Sequence, residues 1–227
     1  MSTVPDNAER YSRQLLFWGE RTQRLIGQGS LLIAGVGGLG ATVSQILARA
    51  GVGRLHLVDD GVVALPDLQR QSLYGECDLG RKKVLVARER LESINSALEV
   101  IAHDYRIGDC ATLPEGIDGV ADCLDNFASR FALYRAVPEG RFFLHGGVQG
   151  NQGQVLTLVK GASRPLEEIL AGSRQPEGVI PVTPDSVFVI AGLMANELLG
   201  TLAGTPKLRD RFLVVDLAGF TFSYLEV

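Results

Sequence analysis

The sequence predicts an α/β fold in which a doubly wound, mostly parallel sheet ends in antiparallel strands. Three observations support this prediction. Short apolar runs alternate with longer segments of helix-forming residues, which is the order that strand–helix–strand units produce. A glycine-rich turn follows the first apolar run, and the last two apolar runs follow each other without a helix between them. Most of the chain is therefore expected to be Rossmann-like.

The first strand–helix–strand unit follows a helix predicted over residues 9–26. Residues 31–34 form a continuous apolar run, which is typical of a parallel strand covered on both faces. The helix formers of residues 41–50 stop at Gly51, and residues 54–59 are the second strand. A strand, a helix and a parallel strand in this order form a right-handed crossover.

The alternation continues through the middle of the chain. Further strands are predicted at residues 98–103, 119–125, 142–144 and 154–159, and further helices at residues 82–94 and 126–137.

The C-terminal third has a different pattern. Residues 161–184 contain Pro165, Pro176 and Pro181 and little periodicity, so we predict a crossover loop with a short helix at residues 166–170. Residues 183–203 are apolar on nearly every face, which predicts a helix buried in the core or in a subunit interface. Two strands that are antiparallel to each other, at residues 212–216 and 220–225, complete the predicted sheet.

Composition limits the possible functions. Lys and Arg total 22 against 26 Asp and Glu, so no basic surplus indicates a nucleic-acid partner. The longest apolar run, residues 187–195, is shorter than the ~20 residues of a membrane span, and residues 1–10 are too polar for a signal peptide. Cys77, Cys110 and Cys123 form no CxxC pair, which suits a reducing compartment. We expect a cytoplasmic protein that binds neither nucleic acid nor membranes.

The glycine-rich turn, Gly-Val-Gly-Gly-Leu-Gly at residues 35–40, predicts a nucleotide site. Gly35 and Gly37 allow a tight turn close to a ligand, and Gly40 allows the helix to pack against the strand. The start of the helix then directs free N–H groups and a positive dipole end at a phosphate. Asp59 lies 19 residues after Gly40 (59 − 40), where a carboxylate can accept hydrogen bonds from ribose hydroxyls. An NAD-dependent dehydrogenase would use the same turn, so the turn alone leaves the nucleotide open.

Other motifs occur around this turn in a fixed order. They are Arg-Tyr-Ser-Arg-Gln at residues 10–14, Leu-Gln-Arg-Gln at 68–71, Gly-Arg-Lys-Lys-Val at 80–84 and Cys-Leu-Asp-Asn at 123–126. Together with the glycine turn, this set resembles the ThiF/MoeB/HesA family of ubiquitin-activating-like adenylyltransferases over residues 10–225. The resemblance implies that the C-terminal Gly-Gly carboxylate of a small ubiquitin-like sulfur-carrier protein attacks the α-phosphate of ATP. An acyl-adenylate forms and pyrophosphate leaves.

The resemblance also assigns roles to residues. Arg70 and Lys83 are expected to contact the triphosphate, Asp125 to hold Mg²⁺, and Arg13 to reach the γ-phosphate bound by a neighbouring subunit of a homodimer. Fixed cations and a metal are what an attack on a triphosphate requires, because several negative charges meet at phosphorus. The nucleotide-binding set comprises Gly35, Gly37, Gly38, Gly40, Asp59, Asp67, Gln71 and Asn126.

The resemblance divides the chain as a single adenylation domain over residues 1–227. It consists of an N-terminal helical segment (1–28), a nucleotide-binding core (29–160), the crossover loop (161–184) and a C-terminal helix with strands (185–227).

The chain departs from the family pattern in its cysteines and in two acids. Zinc-binding relatives carry two CxxC pairs, whereas the last cysteine here is Cys123, so no zinc is expected. The same absence removes a crossover-loop cysteine for a later thioester step. Gly61 stands where relatives often have a second acid, and Asp67 where they usually have Asn. An extra carboxylate beside a triphosphate is unfavourable unless it faces Mg²⁺ or pairs with a cation.

Several alternatives remain open on the sequence. The chain is either the enzyme described, an enzyme that adenylates a small carboxylate or a tRNA-linked carboxylate, or a nucleotide-binding partner that lends Arg13 to another protein's site. An NAD oxidoreductase is disfavoured because no catalytic Tyr-Lys or His-Asp pairing stands out. His145, at the end of a predicted strand, is placed where it can approach the nucleotide site. Cys77 lies in the loop between the motifs at residues 68–71 and 80–84, close to the same site. The carrier and its pathway are not determined.

Overall fold

The computed structural model describes residues 7–108, 112–175 and 178–227, so Cys110 and Pro176 lie outside the described residues. Its helices are α1 (Asn7–Arg10), α2 (Ser12–Gln28), α3 (Gly38–Ala50), α4 (Lys83–Ile94), α5 (Phe127–Ala136), α6 (Leu166–Ile169) and α7 (Pro184–Leu202). Its strands are β1 (Ser30–Ala34), β2 (Arg54–Val58), β3 (Glu99–His103), β4 (Gly119–Asp122), β5 (Phe142–Gln149), β6 (Gln152–Val159), β7 (Arg211–Asp216) and β8 (Thr221–Glu226).

The strands form a single eight-stranded sheet in the order β3-β2-β1-β4-β5-β6-β7-β8. The five strands from β3 to β5 are parallel, and β6, β7 and β8 are each antiparallel to the strand before them. The strand order reverses between β1 and β4, which is where open α/β sheets bind ligands. The predicted fold class, including the antiparallel C-terminal strands, is confirmed.

Strand β1 lies at the centre of the core, because all five of its residues are buried. Leu31 and Ile33 pack into one apolar cluster with α3, α4 and α7, while Leu32 and Ala34 pack into a second cluster with α5 and α6. Successive side chains of a strand point to opposite faces. The continuous apolar run therefore reflects helices on both faces of the sheet.

Several element boundaries differ from the prediction, and three of these differences have a local cause. Strand β4 ends at Asp122 instead of residue 125, because the Asp122 carboxylate accepts the Leu124 N–H at 3.1 Å and turns the chain out of the ladder. Strand β5 runs on to Gln149 and forms a hairpin with β6 around Gly150, which has a φ of 54°. The N-terminal helix is split after α1 and bent at Gly19, whose φ is 75°.

Helix α7 packs against α3, β5 and β6, with Ile190, Met194 and Leu198 fully buried. By length and composition alone it is also apolar enough to cross a membrane, as a core helix of a soluble protein can be. The buried carboxylate of Glu197 accepts the N–H groups of Lys207 and Leu208 at 3.0 and 2.8 Å. Glu197 therefore fastens the end of α7 to the segment that leads into β7.

Replacing Glu197 with Ala is expected to lower the free energy of unfolding by about 2–4 kcal/mol, because buried N–H donors lose their acceptor. Urea denaturation measures this change. Glu92 is exposed on α4, and Glu92→Ala is the matched control, with an expected change within about 0.5 kcal/mol. Equal stability of both variants would contradict the fastening role.

Candidate nucleotide-binding site

A cavity of about 890 Å³ opens at the carboxyl ends of the parallel strands. The structure brings most of the sequence-predicted residues to its wall. Those that line it are Gly35, Gly37, Gly38, Asp59, Asp67, Arg70, Gln71, Lys83, Asp125 and Asn126. Gly40 lies behind the wall, and Arg13 is exposed elsewhere on the surface.

The glycine turn joins β1 to α3 by a close backbone contact. Gly35 has a φ of 83°, which favours glycine, and its N–H donates to the Val58 carbonyl at 2.8 Å. A Cβ on Gly40 would lie 1.8 Å from the Gly35 carbonyl oxygen, so no other residue fits there. Helix α3 begins at Gly38, and its free N–H groups provide an anion-binding end at the cavity.

Asp59 follows β2 and accepts two backbone hydrogen bonds. Its Oδ2 accepts the Val36 N–H at 2.9 Å, and its Oδ1 accepts the Gly61 N–H at 2.8 Å. A carboxylate has about four acceptor positions, so capacity for a ribose hydroxyl remains. A Cβ on Gly61 would lie 2.9 Å from Asp59 Oδ1, which gives a steric reason for glycine at this departure from the family pattern.

Asp67 pairs with the two cations assigned to the triphosphate. Its Oδ2 lies 3.0 Å from Lys83 Nζ, and its Oδ1 lies 3.8 Å from Arg70 Nη2. Its Oδ1 also accepts the Gln71 side-chain N–H at 2.7 Å. The extra carboxylate therefore meets the condition under which it is tolerated, because it faces cations. One negative and two positive side chains leave a net charge of +1 here.

Tyr74 ties the Leu-Gln-Arg-Gln segment to the glycine turn. Its hydroxyl donates to the Val36 carbonyl at 2.7 Å. Burial, together with the nearby charges of Asp59, Asp67 and Asp78, raises the pKa of Tyr74 far above its usual range. The hydroxyl therefore stays protonated, and the bond persists over the physiological pH range.

Asp125 lies in the turn after β4 and is exposed at the cavity. Asn126 caps α5, since its Oδ1 accepts the Ser129 N–H at 2.8 Å, and its Nδ2 donates to Asp125 Oδ1 at 3.3 Å. From the crossover loop, the Gln175 side chain accepts the Phe127 N–H at 3.0 Å and donates to the Asp125 carbonyl at 3.1 Å. The turn that carries Asp125 is thus held from both sides.

Within the described ranges, no group of three or more His, Cys, Asp or Glu side chains is arranged to hold a metal ion. Asp125 therefore offers a single carboxylate. This arrangement fits Mg²⁺, which in nucleotide enzymes is held by one or two carboxylates together with substrate phosphates and water.

The motif around Arg13 is anchored by its other members. The Tyr11 hydroxyl accepts the Asn95 side-chain N–H at 2.9 Å, and Gln14 donates to the Ala50 carbonyl at 2.9 Å. Arg10 donates to the Ile94 carbonyl at 2.9 Å. These bonds hold the segment against the ends of α3 and α4 while Arg13 faces solvent. Arg13 does not join the cavity of its own chain.

Sequence reasoning missed a polar cluster behind the cavity wall. The Asp122 cluster consists of Asp122, Arg130, His145 and Gln154, of which Arg130 and Gln154 line the cavity. His145 is only 1% exposed and does not reach the cavity, so its expected approach to the site is indirect. The sequence predicts His145 at a strand end, and this was the one signal of the cluster, but the structure places His145 inside β5.

Of the described cysteines, Cys123 lines the cavity. Burial raises the pKa of Cys123 well above its usual range, with a further contribution from Asp122, so its thiol stays protonated. Cys77 is exposed and does not line the cavity.

Residues 11–227 match the ThiF family. The chain belongs to this family. Among its relatives, a sulfur carrier protein adenylyltransferase of Thermus thermophilus is 32% identical over 100% of this chain and 90% of the relative. The heterocyst HesA protein of Trichormus variabilis is 34% identical over 98% of this chain and 86% of its own length.

Among solved structures, Escherichia coli MccB with ATP shares the fold of this ThiF-family chain. The TM-score is 0.79 at 20% identity, covering 100% of this chain and 73% of MccB. The comparisons confirm the family resemblance and the ThiF/MoeB class of adenylyltransferase expected from the motifs.

Replacing Gly40 with Ala is expected to displace the glycine turn, because the new Cβ meets backbone that cannot move freely. We expect weaker ATP binding and a loss of about 1–3 kcal/mol in the free energy of unfolding, measured by calorimetry and urea denaturation. Gly192 lies in α7, and a Cβ added there would have no atom of another part of the described chain within 4 Å. Gly192→Ala is the control and should leave ATP binding unchanged; equal behaviour of both variants would refute the contact.

Proposed function

We propose that this chain activates the C-terminal carboxylate of a small ubiquitin-like sulfur-carrier protein ending in Gly-Gly, using ATP. The observation that carries the proposal is the joint placement of Arg70, Lys83 and the glycine turn around one cavity. A relative whose alignment covers 100% of the chain, at 32% identity, is named a sulfur carrier protein adenylyltransferase. The positive charges of Arg70 and Lys83 beside a helix N-terminus suit a triphosphate.

In this proposal the glycine turn and the start of α3 bind the phosphates, and Asp59 accepts a ribose hydroxyl. Lys83 and Arg70 turn from Asp67 toward the triphosphate, whose charge exceeds that of one carboxylate. The cations then hold the triphosphate and disperse the charge that develops as the acyl carboxylate approaches. A carboxylate oxygen forms a bond to the α-phosphorus, and the bond from that phosphorus to the bridging oxygen of pyrophosphate breaks.

Asp125 is the residue that would hold Mg²⁺, with Asn126 and Gln175 fixing the turn around it. When bound, the metal supplies charge neutralisation between the phosphates. The protein's own part is to keep Asp125 at the cavity mouth.

Homodimerisation is part of the proposal, with Arg13 completing the site of the neighbouring subunit. Two observations support it. Arg13 is exposed on an anchored segment outside its own cavity. Leu16 and Phe17, on the same helix, are about nine-tenths exposed, which is unusual for large apolar side chains outside interfaces. A cytoplasmic location would supply ATP and keep Cys77 and Cys123 reduced.

Exposure of Arg13 also favours a second candidate, a nucleotide-binding partner that lends this side chain to another protein. The test is exchange of labelled pyrophosphate into ATP in the presence of purified Gly-Gly-ending carrier proteins from the same genome. Carrier-dependent exchange supports the enzyme. ATP binding without exchange for every carrier supports the partner subunit instead.

Arg70→Ala is expected to reduce carrier-dependent exchange by about 10²–10³-fold, because a cation that stabilises transition-state charge is lost. Arg24, with a side chain 66% exposed on α2, is the control position. Arg24→Ala should keep wild-type exchange. Undiminished exchange in Arg70→Ala would refute the assigned role.

Asp67→Asn is expected to tighten ATP binding about 3–10-fold, since the amide no longer competes with the triphosphate for Lys83. The Asn oxygen can still accept the Gln71 N–H, so the loop should stay in place. Titration calorimetry with ATP measures the change. Weaker ATP binding in this variant would contradict the prediction, because it would show that Asp67 positions Arg70 and Lys83 for the triphosphate instead of competing with it.

A further inference from the structure

In the Asp122 cluster, His145 on β5 connects Asp122 on β4 to Gln154 on β6, which lines the cavity. His145 Nδ1 lies 2.8 Å from Asp122 Oδ2, and His145 Nε2 lies 2.9 Å from the Gln154 side-chain nitrogen. Arg130 donates to the Gly146 carbonyl at 3.1 Å and lies 3.1 Å from Asp122 Oδ2. Asp122, Arg130 and His145 are each less than a tenth exposed. Such a cluster is expensive to bury unless its members satisfy one another.

The partners of His145 determine which ring nitrogen carries the proton. Nδ1 contacts both the Arg130 guanidinium, which donates, and the Asp122 carboxylate, which accepts. Among the described residues Asp122 is the only acceptor at the ring, so the ring N–H is on Nδ1. Nε2 faces the Gln154 amide and the Arg130 guanidinium, at 2.9 and 3.1 Å, and both of these donate. Burial and the charge of Arg130 lower the pKa of His145 to about 4, against the opposing effect of Asp122. The imidazole is therefore neutral near pH 7, with its lone pair on Nε2.

This tautomer fixes the Gln154 amide. One N–H of Gln154 is committed to His145, so the amide nitrogen is directed to the histidine, and the carbonyl oxygen and the second N–H remain for another partner. Gln154 lines the cavity and is paired across the hairpin with Gly147. A Cβ on Gly147 would lie 3.2 Å from Gln154 Cγ, so glycine there leaves room beside the amide.

The strand order places Gln154 away from the nucleotide side of the cavity. Asp59 follows β2 and the glycine turn follows β1, whereas Gln154 lies on β6, three strands beyond β1. Neighbouring strands are about 4.8 Å apart, which puts roughly 14 Å between β1 and β6. A nucleotide that lies along β2 and β1 leaves the β5–β6 end for the attacking acyl chain.

We propose that Gln154 binds the last peptide group before the reacting carboxylate, and that His145 is a positioning residue that orients its amide. A free carbonyl oxygen and a free N–H complement the N–H and C=O of a peptide bond. The inference deepens the proposed function and depends on it. It narrows the substrate to a carboxylate preceded by a peptide bond, as at a Gly-Gly terminus, and disfavours simple small carboxylates.

The test uses a stable mimic of the acyl-adenylate, 5′-O-[N-(glycylglycyl)sulfamoyl]adenosine, with 5′-O-sulfamoyladenosine as its form without the acyl chain. Wild-type protein should bind the acylated mimic more tightly in titration calorimetry. Gln154→Leu should weaken binding of the acylated mimic about tenfold, because one well-placed hydrogen bond is lost. Binding of ATP and of sulfamoyladenosine should not change. Gln28 is exposed at the end of α2 and does not line the cavity, and Gln28→Leu is the matched control.

The role of His145 is tested by two variants and by NMR. His145→Phe removes the acceptor and should reproduce the selective loss, whereas His145→Gln retains an acceptor oxygen and should restore most of the affinity. In wild-type protein, ¹⁵N shifts should show a protonated Nδ1 and an unprotonated Nε2 between pH 6 and 8. A protonated Nε2 would overturn the positioning role even if the Phe variant failed to fold.

The outcomes distinguish failure of the proposed function from failure of the role proposed for Gln154. If wild-type protein does not prefer the acylated mimic over sulfamoyladenosine, the proposed function fails together with this inference. If the preference exists and Gln154→Leu keeps it, only the inference fails. If Gln154→Leu weakens binding of ATP and of the acylated mimic equally, Gln154 has a structural role and the inference is also overturned.

Discussion

The site depends on the backbone contact between the end of β1 and the start of α3. The Gly35 carbonyl oxygen occupies the space that a side chain on Gly40 would need, so helix and strand meet without side chains between them. Two other parts of the site are attached to the same turn through Val36, whose N–H donates to Asp59 and whose carbonyl accepts the Tyr74 hydroxyl. Asp59 and the segment that contains Arg70 and Tyr74 are therefore positioned relative to one backbone segment.

The second constraint is the charge of that loop. Arg70 and Lys83 on their own would repel each other beside a helix N-terminus that is itself positive. Asp67 relieves this repulsion, since it pairs with Lys83 at 3.0 Å and approaches Arg70 at 3.8 Å. Because Lys83 and Asp67 are both largely buried, their interaction is screened less than a surface pair would be. In the proposed function, Asp67 stabilises the free state of the site at the expense of part of the attraction for the triphosphate.

The parts of the site that could be predicted from sequence are those built from local segments. The glycine turn, the acid after β2 and the basic helix start each need only a few adjacent residues, and the structure brings them to one cavity. The Asp122 cluster joins β4, α5, β5 and β6, and its members are 32 residues apart along the chain (154 − 122). No periodicity or spacing marks such a set, because only the sheet order makes Asp122 and His145 register partners. The early end of β4 escaped prediction for a local reason, since the apolar pattern continues past Asp122, whose side chain ends the strand.

The change from parallel to antiparallel pairing explains why side chains of the β5–β6 hairpin line one end of the cavity. A parallel successor to β5 would require a crossover helix over the sheet, whereas β5 and β6 are joined by a hairpin around Gly150. The hairpin glutamines Gln149, Gln152 and Gln154 consequently line the cavity. The parallel half of the sheet supplies helix N-termini and acids suited to a nucleotide, while the antiparallel half supplies neutral amides suited to a peptide. Asp125, in the turn after β4, lies between the glycine turn after β1 and the β5–β6 hairpin.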